Sequence, residues 1–296
     1  MTHRVWLSLP LALTVSCGDG AAPSDGTLHF APPPITLQPG ESGVWAQWLT
    51  APMTEDQDVV SLTGNQSVGG HHALVFAMSE DQPVGMTRPW KDQDQLQTRL
   101  VGGVGGEGGA NVTLPDGVVF RVRKGYSLVV QVHYLNATNH AITGTTTIDL
   151  KLAPASPSKK VASLFASVSD RVAVPPGTSS LDVSCTFPHD MSFLMYSNHM
   201  HKYGAETDTH SITADGTDTL VKSDPSWNYE WAFNPNFDRR SGDDPFVVKA
   251  GTTLRTHCSW NNDSGATVNF PDEMCIFFGI VLSDKDIFCT DQKWIE

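Results

Sequence analysis

The chain is short of basic side chains, has no cysteine between Cys17 and Cys185, and carries no long stretch that repeats at helical spacing. Each shortage excludes something. With 19 Lys and Arg against 32 Asp and Glu, and a formal net charge of −13, the basic stripe that a nucleic-acid surface needs is missing. The lack of helical periodicity argues against a helical architecture. The absence of any C-x₂-C spacing removes the support a four-thiolate zinc site would need. A glycine-rich run at 101–109 lacks the Lys-Ser/Thr and the following helix of a phosphate-binding loop, and reads as a mobile loop.

The one strongly apolar run near the start, Val5 to Val15, follows His3 and Arg4 and is too short to span a bilayer. It leads into Thr14-Val15-Ser16-Cys17, which resembles a bacterial lipoprotein signal with Cys17 as the lipidated residue, although Thr14 stands where leucine is usual. An ordinary secretory signal would export the protein equally. Residues 1–17 are thus expected to be a targeting segment, with the membrane met only through a lipid anchor. Export makes disulfides of the four remaining cysteines, Cys185, Cys258, Cys275 and Cys289, for which three pairings are possible.

Residues 18–34, rich in Gly, Ala, Pro, Ser and Asp, read as a flexible tether. From Ile35 on, short apolar runs alternate with Gly, Pro, Asn and Asp, the pattern of many short strands in a β-sandwich. The stretch from Ala153 to Lys160 reads as a linker. The expected organisation is two β domains, 35–154 and 161–296, joined by 155–160.

Chemistry concentrates in histidine. Ser197-Asn198-His199-Met200-His201-Lys202-Tyr203-Gly204 follows the apolar flank Phe193 to Tyr196, which reads as a buried strand. Residues i and i+2 of a strand share a face, so His199 and His201 can present two imidazoles to one ion. In the first half, Gly69-Gly70-His71-His72 leads into an apolar run, and His133 ends another. Neighbouring strand residues point to opposite faces. His71 and His72 can share an ion only where the backbone departs from a regular strand, which the glycines permit. Three imidazoles without a thiolate suit copper, or zinc with an open position. Met274, read as lying in an apolar strand beside Cys275, offers a thioether that would favour Cu(I). His29, His140, His189, His210 and His257 read as surface or structural.

Taken in order, Gly70-His71-His72, Gln131-Val132-His133-Tyr134, His199-Met200-His201-Lys202-Tyr203-Gly204 and Asp272-Glu273-Met274-Cys275 resemble the copper type II, ascorbate-dependent monooxygenases. That family includes the peptidylglycine α-hydroxylating and dopamine β-hydroxylating enzymes, and the resemblance covers most of the chain from about residue 35. It implies an all-β fold of two antiparallel jelly-roll-like sandwiches facing across a cleft. It implies two coppers per chain: an electron-transfer copper on His71, His72 and His133, and an oxygen-activating copper on His199, His201 and Met274, which are then the catalytic residues. O₂ would be the co-substrate and ascorbate, or another electron donor, the reductant, with an unactivated C–H bond hydroxylated. The family's disulfide after the metal-binding Met implies Cys258–Cys275, leaving Cys185–Cys289.

The chain departs from the family in lacking first-domain cysteines. It also departs at two positions that grip a substrate carboxylate in peptide-amidating members, now Ser197 and Phe278. These two are the candidate substrate-side residues. They point to a small apolar or aromatic substrate, with Trp227, Tyr229, Trp231 and Phe233 as further aromatic wall. The protein is expected to act as a monomer. Two other readings use the same residues differently: an envelope lipoprotein that only carries copper, and a cupin in which Glu206 joins His199 and His201. The cupin motif lacks its flanking glycines, because Phe193 and Thr213 stand in their places.

Overall fold

Alternation of apolar and polar residues gives the strands their two faces, as in Thr253–Asn262, where Leu254, Thr256, Cys258, Trp260 and Asn262 are buried and the residues between them are not. The computed structural model describes residues 27–295, apart from 92–93, 95–96, 106–109, 112, 137 and 233. Cys17 and the signal segment, and Phe233, lie outside the described residues. The fold is all-β; the 3₁₀ turn Tyr229–Ala232 is a minor element.

Two sandwiches follow one another along the chain. In the first half, a four-stranded sheet runs in the order Thr27–Phe30, Thr146–Pro154, Gln57–Gln66 and Arg121–Val122. A six-stranded sheet has the order Thr87–Pro89, Ser42–Trp48, Ser127–Leu135, Gly70–Met78, Thr98–Gly105 and Ala110–Asn111. Their inner faces, with Ile148 and Leu150 from one and Val75, Ala77, Val130 and Val132 from the other, belong to one apolar core. In the second half, Gly177–Thr186, Thr253–Asn262, Gly204–Ile212 and Asp218–Asp224 form a four-stranded sheet. An eight-stranded sheet is centred on Met191–His199, Ile276–Leu282 and Lys160–Val168. Pairing is antiparallel except where Lys160–Val168 runs parallel to Ile287–Thr290 and to Val118–Val119.

The disulfides lie in two buried apolar clusters of the second half and tie its sheets together. Cys185–Cys289 links the four-stranded sheet to Ile287–Thr290, and Cys258–Cys275 links it to the residue before Ile276–Leu282. All four cysteines are fully buried. Two disulfides fit an exported protein.

The apolar core of the first half does not stop at the linker. Ala162, Leu194, Met195 and Ile280 belong to it, so the two halves pack on each other through apolar side chains. Asp286 adds a polar tie. Its carboxylate accepts the Leu100 N–H of the first half at 2.7 Å and the Leu164 N–H of the second at 2.9 Å.

Three expectations need correction. The tether does not reach residue 34, because Thr27–Phe30 pairs with Ile148–Lys151 as the edge of a sheet. Lys160, assigned to the linker, already pairs with Val118. Residues 101–105 of the glycine-rich run are not a mobile loop but part of Thr98–Gly105, paired along Gly70–Met78. There glycine serves close packing: a Cβ on Gly103 would lie 2.6 Å from the Leu74 side chain.

Candidate metal centre

His71, His72 and His133 converge because of an irregularity in one strand pair. Along Ser127–Leu135 and Gly70–Met78, His133 pairs with His72, and the next residue, Tyr134, pairs with Gly70. His71 is therefore the extra residue of a β-bulge. A bulge sets two residues of one strand against one of its partner, which undoes the alternation that would send adjacent side chains to opposite faces. The preceding glycines make the entry possible. Gly69 has φ +78°, and a Cβ on Gly70 would lie 2.4 Å from Cβ of Gln66.

One ligand atom from each of the three imidazoles lies within 4.8 Å of the others. The Nδ1 atoms of His71 and His133 are 3.1 Å apart. Two nitrogens about 2.0–2.1 Å from one tetrahedral ion would stand roughly 3.4 Å apart, so this spacing fits two ligands of one ion. Outer contacts orient the rings. His72 Nε2 lies 3.3 Å from Gln131 Oε1, and His133 Nε2 lies 3.2 Å from Ser42 Oγ. Nδ1 of His133 then faces Nδ1 of His71, and an outer hydrogen bond of this kind fixes the tautomer of a ligating histidine.

Electrostatics keeps the cluster neutral. Burial first, and neighbouring imidazoles second, bring His71 down to about 2 and His133 to about 4. The same causes bring His72 to about 3, against a smaller opposing effect of Gln131. A neutral imidazole is the form that ligates a metal. The donor chemistry, three neutral imidazoles and no thiolate, fits copper or an open zinc site.

The second histidine pair sits at the end of Met191–His199, whose residues Phe193 to Tyr196 are all buried, as their sequence implies. The strand ends at His199, so His201 lies in the following turn, yet the two rings stand 5.0 Å apart between centroids. The Nδ1 of His201 lies 3.0 Å from the Asp272 carbonyl, which can only accept; the ring therefore donates there and frees Nε2. Across the sheet, Ser197 pairs with Phe278 and His199 with Ile276. Continued by two residues, that register sets His201 opposite Met274. Met274 is not within a strand, contrary to expectation, but in the lead-in to Ile276–Leu282. It is half-buried, whereas Met191, Met195 and Met200 are buried among the core side chains. Burial, and then His201 and His72, hold His199 well below the ordinary histidine value. His201 likewise depresses His71, His72 and His133. The two groups, one from each sandwich, thus stand within electrostatic reach of each other.

The substrate-side candidates divide. Phe278 meets His199 edge-on at 5.9 Å and Phe237 at 5.4 Å, forming an aromatic wall beside the pair. Ser197 does not line that wall: it is fully buried, and its hydroxyl donates to the carbonyls of Asn198 and Asn236. Trp227 packs on the turn after His201, donating Nε1–H to the His201 carbonyl at 3.0 Å, with Trp231 edge-on to it. Tyr229 is exposed. Glu206 lies exposed with His257 around a surface hollow. Among the described residues, His71, His72 and His133 are the group of His, Cys, Asp and Glu placed to hold a metal, and Glu206 joins no such group. His29, His210 and His257 pair with Asp149, Asp218 and Asp182 on the surface. Sequence reasoning missed Ser42, which carries no local signal, and Glu273, which lies inside a quoted motif without a role.

No family model matches the chain, and no curated protein matches it. Among solved structures it is similar to peptide N-glycanase F, with 13% identity and a TM-score of 0.35, over 89% of this chain and 97% of that one. A structure described as PNGase F, a glycosylasparaginase from Flavobacterium meningosepticum, matches at 12% identity and a TM-score of 0.35, over 88% of this chain and 97% of that one. A triple jelly-roll protein of an archaeal virus matches at 8% identity and a TM-score of 0.23, over 90% of this chain and 58% of that one. At these scores no likeness bears on what the chain does.

Proposed function

We propose that this chain is an exported copper-dependent monooxygenase that hydroxylates an unactivated C–H bond of a small apolar or aromatic substrate. The observation that carries the reading is the β-bulge at His71. It gathers three neutral imidazoles in one sandwich, within electrostatic reach of a His-x-His pair in the other. His71, His72 and His133 would hold one copper, and His199, His201 and Met274 the other. Copper bound there would supply the redox chemistry that takes electrons from an ascorbate-like donor and activates O₂.

The protein's own groups do the rest. Gln131 and Ser42 hold the outer nitrogens of His72 and His133, so the inner ones stay oriented. The Asp272 carbonyl accepts a hydrogen bond from Nδ1–H of His201 and so leaves Nε2 free to bind metal. Phe278 and Phe237 offer a substrate an apolar surface beside His199 and help to exclude water. With Ser197 buried and Phe278 lacking a hydroxyl, neither position grips a carboxylate as an arginine fork would. Lipidation at Cys17 would hold the protein at the envelope.

The test is a copper count paired with turnover. The wild type should bind two coppers, and replacing His71 and His72 together should remove one. With ascorbate and copper, O₂ consumption should be coupled to hydroxylation of a phenylethylamine and not of an acylglycine. Two coppers without product would make the chain a copper carrier. Loss of both coppers, or of neither, in the double variant would overturn the two-site assignment.

A further inference from the structure

The ladder between Met191–His199 and Ile276–Leu282 ends at the His199–Ile276 pair. His201 and Met274 lie just past that end, where no strand bond fixes them. The gap is bridged by a side chain, Glu273, which is fully buried. Its Oε1 accepts the backbone N–H of His201 at 2.6 Å and that of Met274 at 3.1 Å. Its Oε2 accepts the backbone N–H of Tyr203 at 2.9 Å. Hydrogen bonds to a carboxylate are shorter and stronger than neutral ones, and a buried carboxylate is tolerated only when its oxygens are occupied in this way. Glu273 is also one residue from Asp272, whose carbonyl orients the His201 ring.

We propose that Glu273 is a positioning residue for the second copper site. The proposal rests on the copper reading above. One oxygen holds the main chain of both His201 and Met274, so the carboxylate fixes the distance between the imidazole and the thioether before any metal arrives. Glu273 touches neither metal nor substrate; it acts through the two ligands. Its partners are amide protons, so a group that only accepts is required. Glutamine would present an NH₂ to one of these N–H groups, leaving two donors facing each other.

The test compares wild type, Glu273→Gln, Glu273→Asp and, as a control, Glu206→Gln, whose side chain is exposed on another strand. Three quantities are read: the Cu(I) affinity of each site, the copper–sulfur shell by X-ray absorption, and, in the copper-free protein, amide hydrogen exchange at His201 and Tyr203. In Glu273→Gln the second site should lose affinity by about 10–100-fold, the scale for loss of a group that orients a ligand. The sulfur shell should fade, the first site should keep its copper, and exchange should quicken at whichever of the two amides faces the NH₂. Glu273→Asp should fall between, and Glu206→Gln should match wild type. Unchanged second-site affinity and sulfur shell in Glu273→Gln would overturn the role of Glu273. A folded wild type that holds only the first-half copper would instead overturn the reading of the second site, and the role of Glu273 with it. The copper-free exchange data separate the two failures, because they report the hydrogen bonds whether or not metal binds.

Discussion

Asp286 joins the two sandwiches through one buried carboxyl, and its charge should show in the pH dependence of stability. Burial raises it from 3.8 to about 6, against the opposing effect of its bonds from Leu164 and Leu100 and of Arg99. The folded state therefore holds a proton that the unfolded chain releases. Below about pH 4 both states are protonated and nothing is lost. Between about pH 4 and pH 6 the folded state binds more protons, so its stability falls as pH rises; above about pH 6 the loss is complete. A shift of about two units corresponds to roughly 3 kcal/mol. Asp286→Asn removes the titration. It also places an NH₂ against one of two N–H donors, which costs about 1–3 kcal/mol at every pH. The informative quantity is the difference in unfolding free energy between wild type and Asp286→Asn, measured in urea from pH 4 to pH 7. Contributions of the other groups cancel in that difference. Wild type should lose its relative advantage by about 3 kcal/mol between pH 4 and pH 7. A flat difference would show that the carboxyl is not held protonated at the junction, and the reasoning from burial would fail.

The two disulfides should differ in worth. Closing 104 residues with Cys185–Cys289 restrains the unfolded chain by about 4.7 kcal/mol, and closing 17 with Cys258–Cys275 by about 3. Replacing each pair by alanine should therefore lower stability more for the first, by roughly 1.5 kcal/mol, since both pairs leave similar buried space; equal losses, or peptide mapping with another pairing, would contradict this. Met274→Ile should leave the far-ultraviolet circular dichroism and melting temperature near wild type, because an aliphatic side chain of similar volume replaces a half-buried thioether. Product formation and the copper–sulfur shell should both disappear. Retained turnover would mean that Met274 is no ligand.

What could be read from the chain alone was whatever is written in neighbouring residues. Strands show as alternation and as short apolar runs between turn residues, so the all-β class was legible, as was the buried run Phe193 to Tyr196. The four cysteines left three pairings open, and a family resemblance chose the one that the structure contains. What was not legible depends on pairing between distant strands. Thr27–Phe30 resembles tether by composition and becomes a strand only because Thr146–Pro154 offers it an edge. Asp286 has no local sign of its role, since its two partners come from different halves of the chain.

The bulge at His71 shows how the two kinds of information combine. Adjacent histidines in a strand are, by period, on opposite faces, so the motif contradicts a shared site as long as the strand is regular. The sequence contained the contradiction and its licence, two glycines. It could not contain the resolution, because a bulge is a property of two strands. The partner must run from His133 to Tyr134 while its neighbour runs from His72 to Gly70. In the second sandwich the period raises no such contradiction: a register that has already ended sets His201 opposite Met274, and a carboxylate takes over from it. In both places a candidate ligand stands where regular β-structure gives way, but only at His71 does the irregularity create the site, since a regular ladder would send the adjacent His71 and His72 to opposite faces. Regularising the bulge should therefore part His71 from His72 while leaving the sandwich folded.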